Sequence, residues 1–107
     1  MILDVGERLL LFQILPQRED YASLKSIHRV REAISFSPEE VKALAFEERD
    51  GRVVGWNQKA PENVAKDFPI DEWTTNKIRD ILVQLNQQHQ MLEGMISLYE
   101  KFVSDYE

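Results

Sequence analysis

The chain has 107 residues, the length of one ordinary domain, and its 43% hydrophobic and 30% charged residues are typical of a globular protein. It contains no cysteine, which excludes disulfide bonds, cysteine-ligated zinc and thiol catalysis. The net charge of -6 opposes a general affinity for nucleic acid or anionic lipid, because both depend on neutralising phosphates. We therefore expect a single domain over residues 1–107 that favours a basic or mixed-charge protein partner.

The N-terminal segment predicts a soluble, intracellular chain that starts with a helix. It has no basic leader and only a short apolar run, so we expect no signal peptide, and no stretch approaches the roughly 18 apolar residues of a membrane span. Asp4 with Glu7 three residues later has the spacing of a capping box. The apolar residues that follow predict a first helix over residues 5–15.

Two further helices are predicted before residue 45. Asp20 can cap the second helix, whose buried face is predicted from helical spacing to be Leu24, Ile27, Val30 or the stem of Arg31, and Ile34. Ser37 begins a short third helix, with Pro38 at its first position and Glu40 reaching back to complete a capping box.

The next segment predicts a β-hairpin. The pair Asp50-Gly51 separates residues 45–49 from residues 52–57, and such a pair supplies the positive φ angles of a type I′ turn. Residues 63–70 alternate in polarity and contain Pro69, so they predict a third, edge strand that completes the hairpin's sheet. Asp71 is the expected cap of the following helix.

The C-terminal third carries an apolar pattern with alternate spacings of four and three. Such spacing is a heptad seam, here formed by Ile78, Leu82, Leu85, His89, Leu92, Ile96, Tyr99 and Val103. Taken literally it predicts one helix about 45 Å long that could pair with another copy. The polar run at residues 86–90 favours the alternative, a break that lets two helices fold onto the same core. The predicted fold is thus α+β and mainly helical, with three N-terminal helices, a small antiparallel hairpin or sheet, and a long or broken C-terminal helix.

No pattern in the sequence points to an enzyme. His28 has only Glu32 as a local partner at helical spacing, His89 lies in the seam among glutamines, and the four scattered glycines form no phosphate-binding loop. The adjacent acidic pairs are interpreted as helix caps or solvated residues: Glu39-Glu40, Glu47-Glu48 and Asp71-Glu72. We therefore expect no catalytic, cofactor-binding or metal-binding residues.

Three helices followed by a hairpin is also the element order of winged-helix domains, which leaves a DNA-associated, transcriptional protein as an alternative. The third helix would read DNA in that fold, and its two glutamates and one lysine suit the major groove poorly. The nucleic-acid contacts in this alternative would be Lys25, His28, Arg29, Arg31, Arg49 and Arg52. We expect Trp56 and Trp73 to seal the core beside the hairpin rather than to stack on bases.

The leading hypothesis is a non-catalytic protein that binds another protein or a second copy of itself through an apolar face of its C-terminal segment. The candidate interface residues are His89, Met91, Leu92, Met95, Ile96, Leu98, Tyr99 and Phe102. Methionines suit adaptable interfaces, although the same residues could form core instead. A further alternative is an inhibitor of a host defence nuclease, in which clustered acids imitate nucleic acid: Glu39, Glu40, Glu47, Glu48 and Asp50.

Three stretches, "ERLLLFQILPQ", "REAISFSPEE" and "SLYEKFV", resemble a group of small uncharacterised proteins encoded by bacteriophages and prophages. The resemblance covers most of the chain and rests on packing and capping patterns. The group has a Thr or an acidic residue before its last helix, where this chain has "QHQMLE". The resemblance implies a phage accessory protein that acts in the bacterial cytoplasm or within the phage particle, and it carries no activity or functional residue over.

Overall fold

The computed structural model describes residues 1–104, and the fold is α+β and mainly helical, as predicted. No helix in these residues is both long and apolar enough to cross a membrane. In chain order the elements are β1 (Ile2–Leu3), α1 (Val5–Ile14), α2 (Tyr21–Ile34), α3 (Pro38–Leu44), β2 (Glu47–Arg49), β3 (Arg52–Gly55), β4 (Lys66–Asp67), α4 (Glu72–Gln87), a 3-10 turn (Glu93–Met95) and α5 (Ile96–Phe102).

The predicted starts of α1, α2, α3 and α4 are confirmed. In each helix a local side chain accepts a hydrogen bond from a free amide of the first turn. In α1 the Asp4 carboxylate accepts from the Glu7 amide at 2.8 Å, and the Glu7 carboxylate accepts from the Asp4 amide at 2.9 Å. Ser37 and Glu40 form the same reciprocal box at the start of α3. Side chains also cap α2 and α4 at the predicted positions, Asp20 and Asp71.

The hairpin is confirmed, whereas the third strand pairs elsewhere. Asp50 and Gly51 have φ angles of 52° and 77°, and β2 pairs with β3 in antiparallel orientation. The strand predicted within residues 63–70 exists as β4, but it pairs with β1 in a separate two-stranded sheet. The prediction that it extends the hairpin is wrong, because Leu3 and Phe68 beside this pairing both enter the main core, away from the hairpin.

Two apolar clusters hold the fold together. The main cluster joins α1, α2, α4 and α5, and its buried members are Leu3, Leu11, Leu15, Ile27, Val30, Ile34, Phe68, Ile78, Leu82, Leu98, Phe102 and Val103. A smaller cluster packs Phe46 and Trp56 of the hairpin region against Val5 and Leu44. Trp56 thus seals a core as predicted. The same prediction is wrong for Trp73, whose side chain is 43% exposed.

The C-terminal seam is broken. Helix α4 ends at Gln87, and His89 has a φ angle of 57°, which no helix can continue. The chain then passes through the 3-10 turn into α5, which packs against α4. The break at the polar run is confirmed, and the continuous helix is wrong.

Candidate interaction sites

The break leaves a group of apolar side chains at the surface, which we call the turn patch: Met91, Leu92, Ile96 and Tyr99. Leu92 and Ile96 are 55% and 52% exposed, and the other two are half-buried. Three of the four line a depression of about 370 Å³ that Asn86 and Glu100 also border. The structure thus leaves four of the eight predicted interface residues accessible, and three of them border one depression.

The remaining predicted interface residues are placed differently. His89 is exposed and precedes the turn patch in the sequence. Met95, Leu98 and Phe102 are buried, so their assignment to an interface is wrong. Their spacing of three and four makes them the inward stripe of the turn and α5, and Leu98 and Phe102 of this stripe pack on the main core.

A larger concavity lies elsewhere, along the first turns of α1, and measures about 530 Å³. We call it the α1 groove, and its walls come from α1, from the region of β3, from the loop before β4 and from the start of α5. Its lining includes Asp4, Gly6, Glu7, Leu10, Val53, Trp56 and Gly94. Its volume falls within the range of about 300–1,000 Å³ that is usual for ligand pockets.

The indole of Trp56 forms a fixed wall of this groove. Its Nε1 donates to Asn63 Oδ1 at 2.9 Å, and Asn63 Nδ2 in turn donates to the Gln58 carbonyl at 3.1 Å. Phe46 meets the ring edge-on at a centroid distance of 6.4 Å. Gly6 faces the indole, and a Cβ added there would lie 3.5 Å from Trp56 Cη2 and 3.5 Å from Asp4 Oδ1. The missing side chain at Gly6 therefore leaves the space between carboxylate and indole open.

Glu7 lines the same groove and is only 2% exposed. Its Oε1 accepts from the Asp4 amide at 2.9 Å and from Lys101 Nζ at 2.7 Å. Lys101 also donates to the Ile2 carbonyl at 2.8 Å, which ties α5 to β1. The second carboxylate oxygen, Oε2, is buried and has no hydrogen-bond partner among residues 1–104.

The next residue, Arg8, is buried on a different side of α1 with every part of its guanidinium engaged. Nε and Nη2 donate to the carbonyls of Ile34 and Ser35, and Nη1 donates to Glu40 Oε2 at 2.8 Å. The guanidinium carbon lies 3.9 Å from the ring centroid of Phe36, close enough for a cation–π contact. Arg8 therefore joins α1 to the end of α2 and the start of α3.

Glu40 is the acidic centre of this buried group. Besides Arg8, it accepts from the Ser37 amide at 3.0 Å and from Lys66 Nζ at 3.2 Å. The hydrogen bond from Arg8 is the largest influence and, although burial opposes it, the pKa of Glu40 falls from 4.5 to about 2. Glu40 is thus a structural residue and does not belong to an exposed acidic surface.

The predicted nucleic-acid residues are partly committed to other contacts. Arg31 Nη2 donates to the carbonyls of Leu15 and Pro16, so it closes the end of α1. His28 contacts Glu32 one turn later at 2.9 Å. The others are exposed: Lys25, Arg29, Arg49 and Arg52. The winged-helix alternative stays a prediction, with at least Arg31 removed from its contact surface.

The acidic residues do not form a metal site in the part of the chain that the structure describes, since no three His, Asp or Glu side chains there are grouped to hold an ion. Four of the five acids of the nuclease-inhibitor alternative are exposed: Glu39, Glu47, Glu48 and Asp50. That alternative also stays a prediction, without its fifth member, Glu40.

Sequence reasoning missed the α1 groove and the Arg8 group. A signal for Arg8 was present, because Val5, Arg8, Leu11 and Leu15 follow helical spacing and a charged residue on a buried stripe requires a partner. The groove had no such signal, since its walls come from segments as far apart as Asp4 and Gly94.

Comparison with known proteins gives no relative for this chain. No family model matches the sequence, and no curated protein and no solved structure shows significant similarity to it.

Proposed function

We propose that this chain is a non-catalytic protein that acts by binding another protein chain through the turn patch, either a second copy or a phage or host partner. The observation that carries the proposal is the exposure of Leu92 and Ile96, at 55% and 52%, beside half-buried Met91 and Tyr99. Single exposed apolar residues are common on protein surfaces, whereas apolar side chains grouped around a depression are typical of interaction sites.

The size of the turn patch limits the kind of association. A stable dimer usually buries about 800 Å² on each partner, more than four side chains provide. The patch therefore supports a small interface in which a few anchor residues provide most of the binding energy. A helix or loop of the partner that inserts beside Tyr99 would form such an interface. The resemblance to phage proteins favours a phage or bacterial partner.

A photoreactive amino acid at position 92 tests the proposal directly. The matched control is position 41, because Val41 is an apolar residue of α3 with a similar exposure of 49%. We expect several-fold more cross-linked product from position 92, and Ile96→Ser should reduce it. Product in the purified protein would indicate self-association, and product only in bacterial cells would indicate a partner.

Equal cross-linking from positions 92 and 41, in both the purified protein and cells, would overturn the proposal. Product from position 92 that Ile96→Ser does not change would also contradict it, because Ile96 is the other strongly exposed residue of the turn patch.

A further inference from the structure

The α1 groove carries a second binding function that is separate from the turn patch. We propose that it binds an extended segment of a partner protein that presents a Lys or Arg side chain between apolar side chains. The two surfaces have no lining residue in common, since the groove uses Gly94 and Ser97 of the turn and α5, and the patch uses Met91, Ile96 and Tyr99.

Charge is the first argument for a cationic segment. The charged residues that line the groove, Asp4 and Glu7, are both acidic. Glu48 lies directly opposite Val53 in the hairpin, so the two side chains share the face that borders the groove. Arg49 and Arg52, one position along each strand, belong to the opposite face.

These three carboxylates are opposed by few positive charges. Lys101 is bound to Glu7 Oε1, and the N-terminus of α1 contributes only about half a unit of positive charge. The balance around the groove is therefore negative, which agrees with the net charge of -6. A Lys or Arg side chain suits this surface better than a neutral or acidic one.

The unpaired oxygen of Glu7 is the second argument. A buried carboxylate oxygen without a donor is unfavourable, because it has lost its water and gained no hydrogen bond. Since Glu7 lines the groove, an N–H group of a bound segment can supply the missing donor after a small side-chain adjustment. The free oxygen thus marks a polar position that a ligand can complete.

The unpaired edge of the hairpin is the third argument, and it favours a peptide over a small amine. Strands β2 and β3 form a sheet of two strands, and no backbone hydrogen bond in residues 1–104 joins β3 to any other element. Val53 in β3 and Trp56 just after it line the groove. An extended segment can therefore add main-chain hydrogen bonds along this edge while its apolar side chains contact Trp56 and Leu10.

Fluorescence of Trp56 measures binding at the groove. The chain has two tryptophans, so Trp73→Phe, at an exposed site, leaves Trp56 as the reporter. The probe is a capped hexapeptide of alternating valine and lysine, compared with alternating valine and glutamate and with n-butylamine. We expect the lysine peptide to bind with a Kd at least tenfold lower than that of either control.

Two substitutions link the signal to the groove. Gly6→Leu fills the space between Asp4 and Trp56 and should weaken peptide binding at least tenfold. The helix itself should remain folded, because leucine has a higher helix propensity than glycine. Glu48→Lys should weaken it several-fold. Its matched control, Glu39→Lys, changes an exposed glutamate of α3 outside the groove and should have little effect.

Several results would overturn this proposal: no binding of the lysine peptide, equal binding of the glutamate peptide or of n-butylamine, or full binding by both Gly6→Leu and Glu48→Lys. Leu92→Ser removes an anchor of the turn patch and should leave peptide binding unchanged. Failure of the groove proposal is therefore distinguishable from failure of the proposed function.

Discussion

The two halves of the C-terminal seam share one sequence pattern but differ in burial, since Val103 alone is buried among the seam residues after the break. Ile78 and Leu82, before the break, are fully buried, whereas Leu92 and Ile96, after it, are more than half exposed. The left-handed conformation of His89 redirects the chain, so a different stripe of α5 packs inward. A periodic apolar pattern therefore identifies residues that can be buried, and where the chain turns it leaves some of them free for a partner.

The largest expected effect comes from truncating one leucine on each side of the break. Leu82→Ala removes a side chain from the main core and should lower the free energy of unfolding by about 2–5 kcal/mol. Leu92→Ala, at an exposed site, should change it by no more than about 0.5 kcal/mol. Urea denaturation measures both values. Comparable losses of unfolding free energy in the two variants would contradict the assignment of Leu82 to the core and of Leu92 to the surface.

The same contrast holds for two neighbouring charges, the buried Glu40 and the exposed Glu39. Because the pKa of Glu40 is about 2 in the folded chain and 4.5 otherwise, its ionisation stabilises the fold by about 3 kcal/mol above pH 4.5. This stabilisation is lost as the pH falls from about 4.5 towards 2, and about 2 kcal/mol of it should be gone by pH 3.

Urea denaturation at pH 6 and pH 3 tests this pH dependence. Between these values the wild type should lose about 2 kcal/mol more stability than Glu40→Gln does. Glu39→Gln is the matched control and should follow the wild type. An identical pH dependence in Glu40→Gln and the wild type would show that Glu40 is not held ionised by Arg8.

The smallest expected effect is a change in the free energy of unfolding caused by a substitution at the break. The sign of this change distinguishes a broken helix from a continuous one. Glycine adopts positive φ without strain, so His89→Gly should raise the free energy of unfolding by about 0.5–1 kcal/mol. In a continuous helix the same substitution would lower it by about 0.3–0.5 kcal/mol, since histidine is itself a weaker helix former than alanine. A clear loss of stability in His89→Gly would therefore support the continuous helix over the break.

The parts of the fold that sequence predicted are those set by neighbouring residues. The caps at Asp4 and Ser37 and the turn at Asp50-Gly51 depend on hydrogen bonds or φ angles within four residues. The break at residues 86–90 was predicted because five polar residues interrupt an apolar seam.

The missed parts depend on contacts between distant segments. The pairing of β1 with β4 joins residues more than 60 positions apart, and the contact of Arg8 with Glu40 spans 32. Local patterns cannot specify such pairs, because each partner has several equally polar or apolar alternatives along the chain. The candidate sites followed the same rule: Leu92 and Ile96 were predicted as interface residues, while Met95, Leu98 and Phe102 could be assigned to the core only once the packing of α5 was known.

Small-angle X-ray scattering at low concentration, with the mass from light scattering, tests the central claim that residues 72–103 fold back as two helices. We expect a 12.6 kDa particle with a radius of gyration near 14 Å and a longest dimension of 34 Å. An unbroken helix over these residues would be about 45 Å long and would protrude. A much larger radius of gyration, as a protruding helix would give in a monomer or a dimer, would contradict the fold-back of residues 72–103.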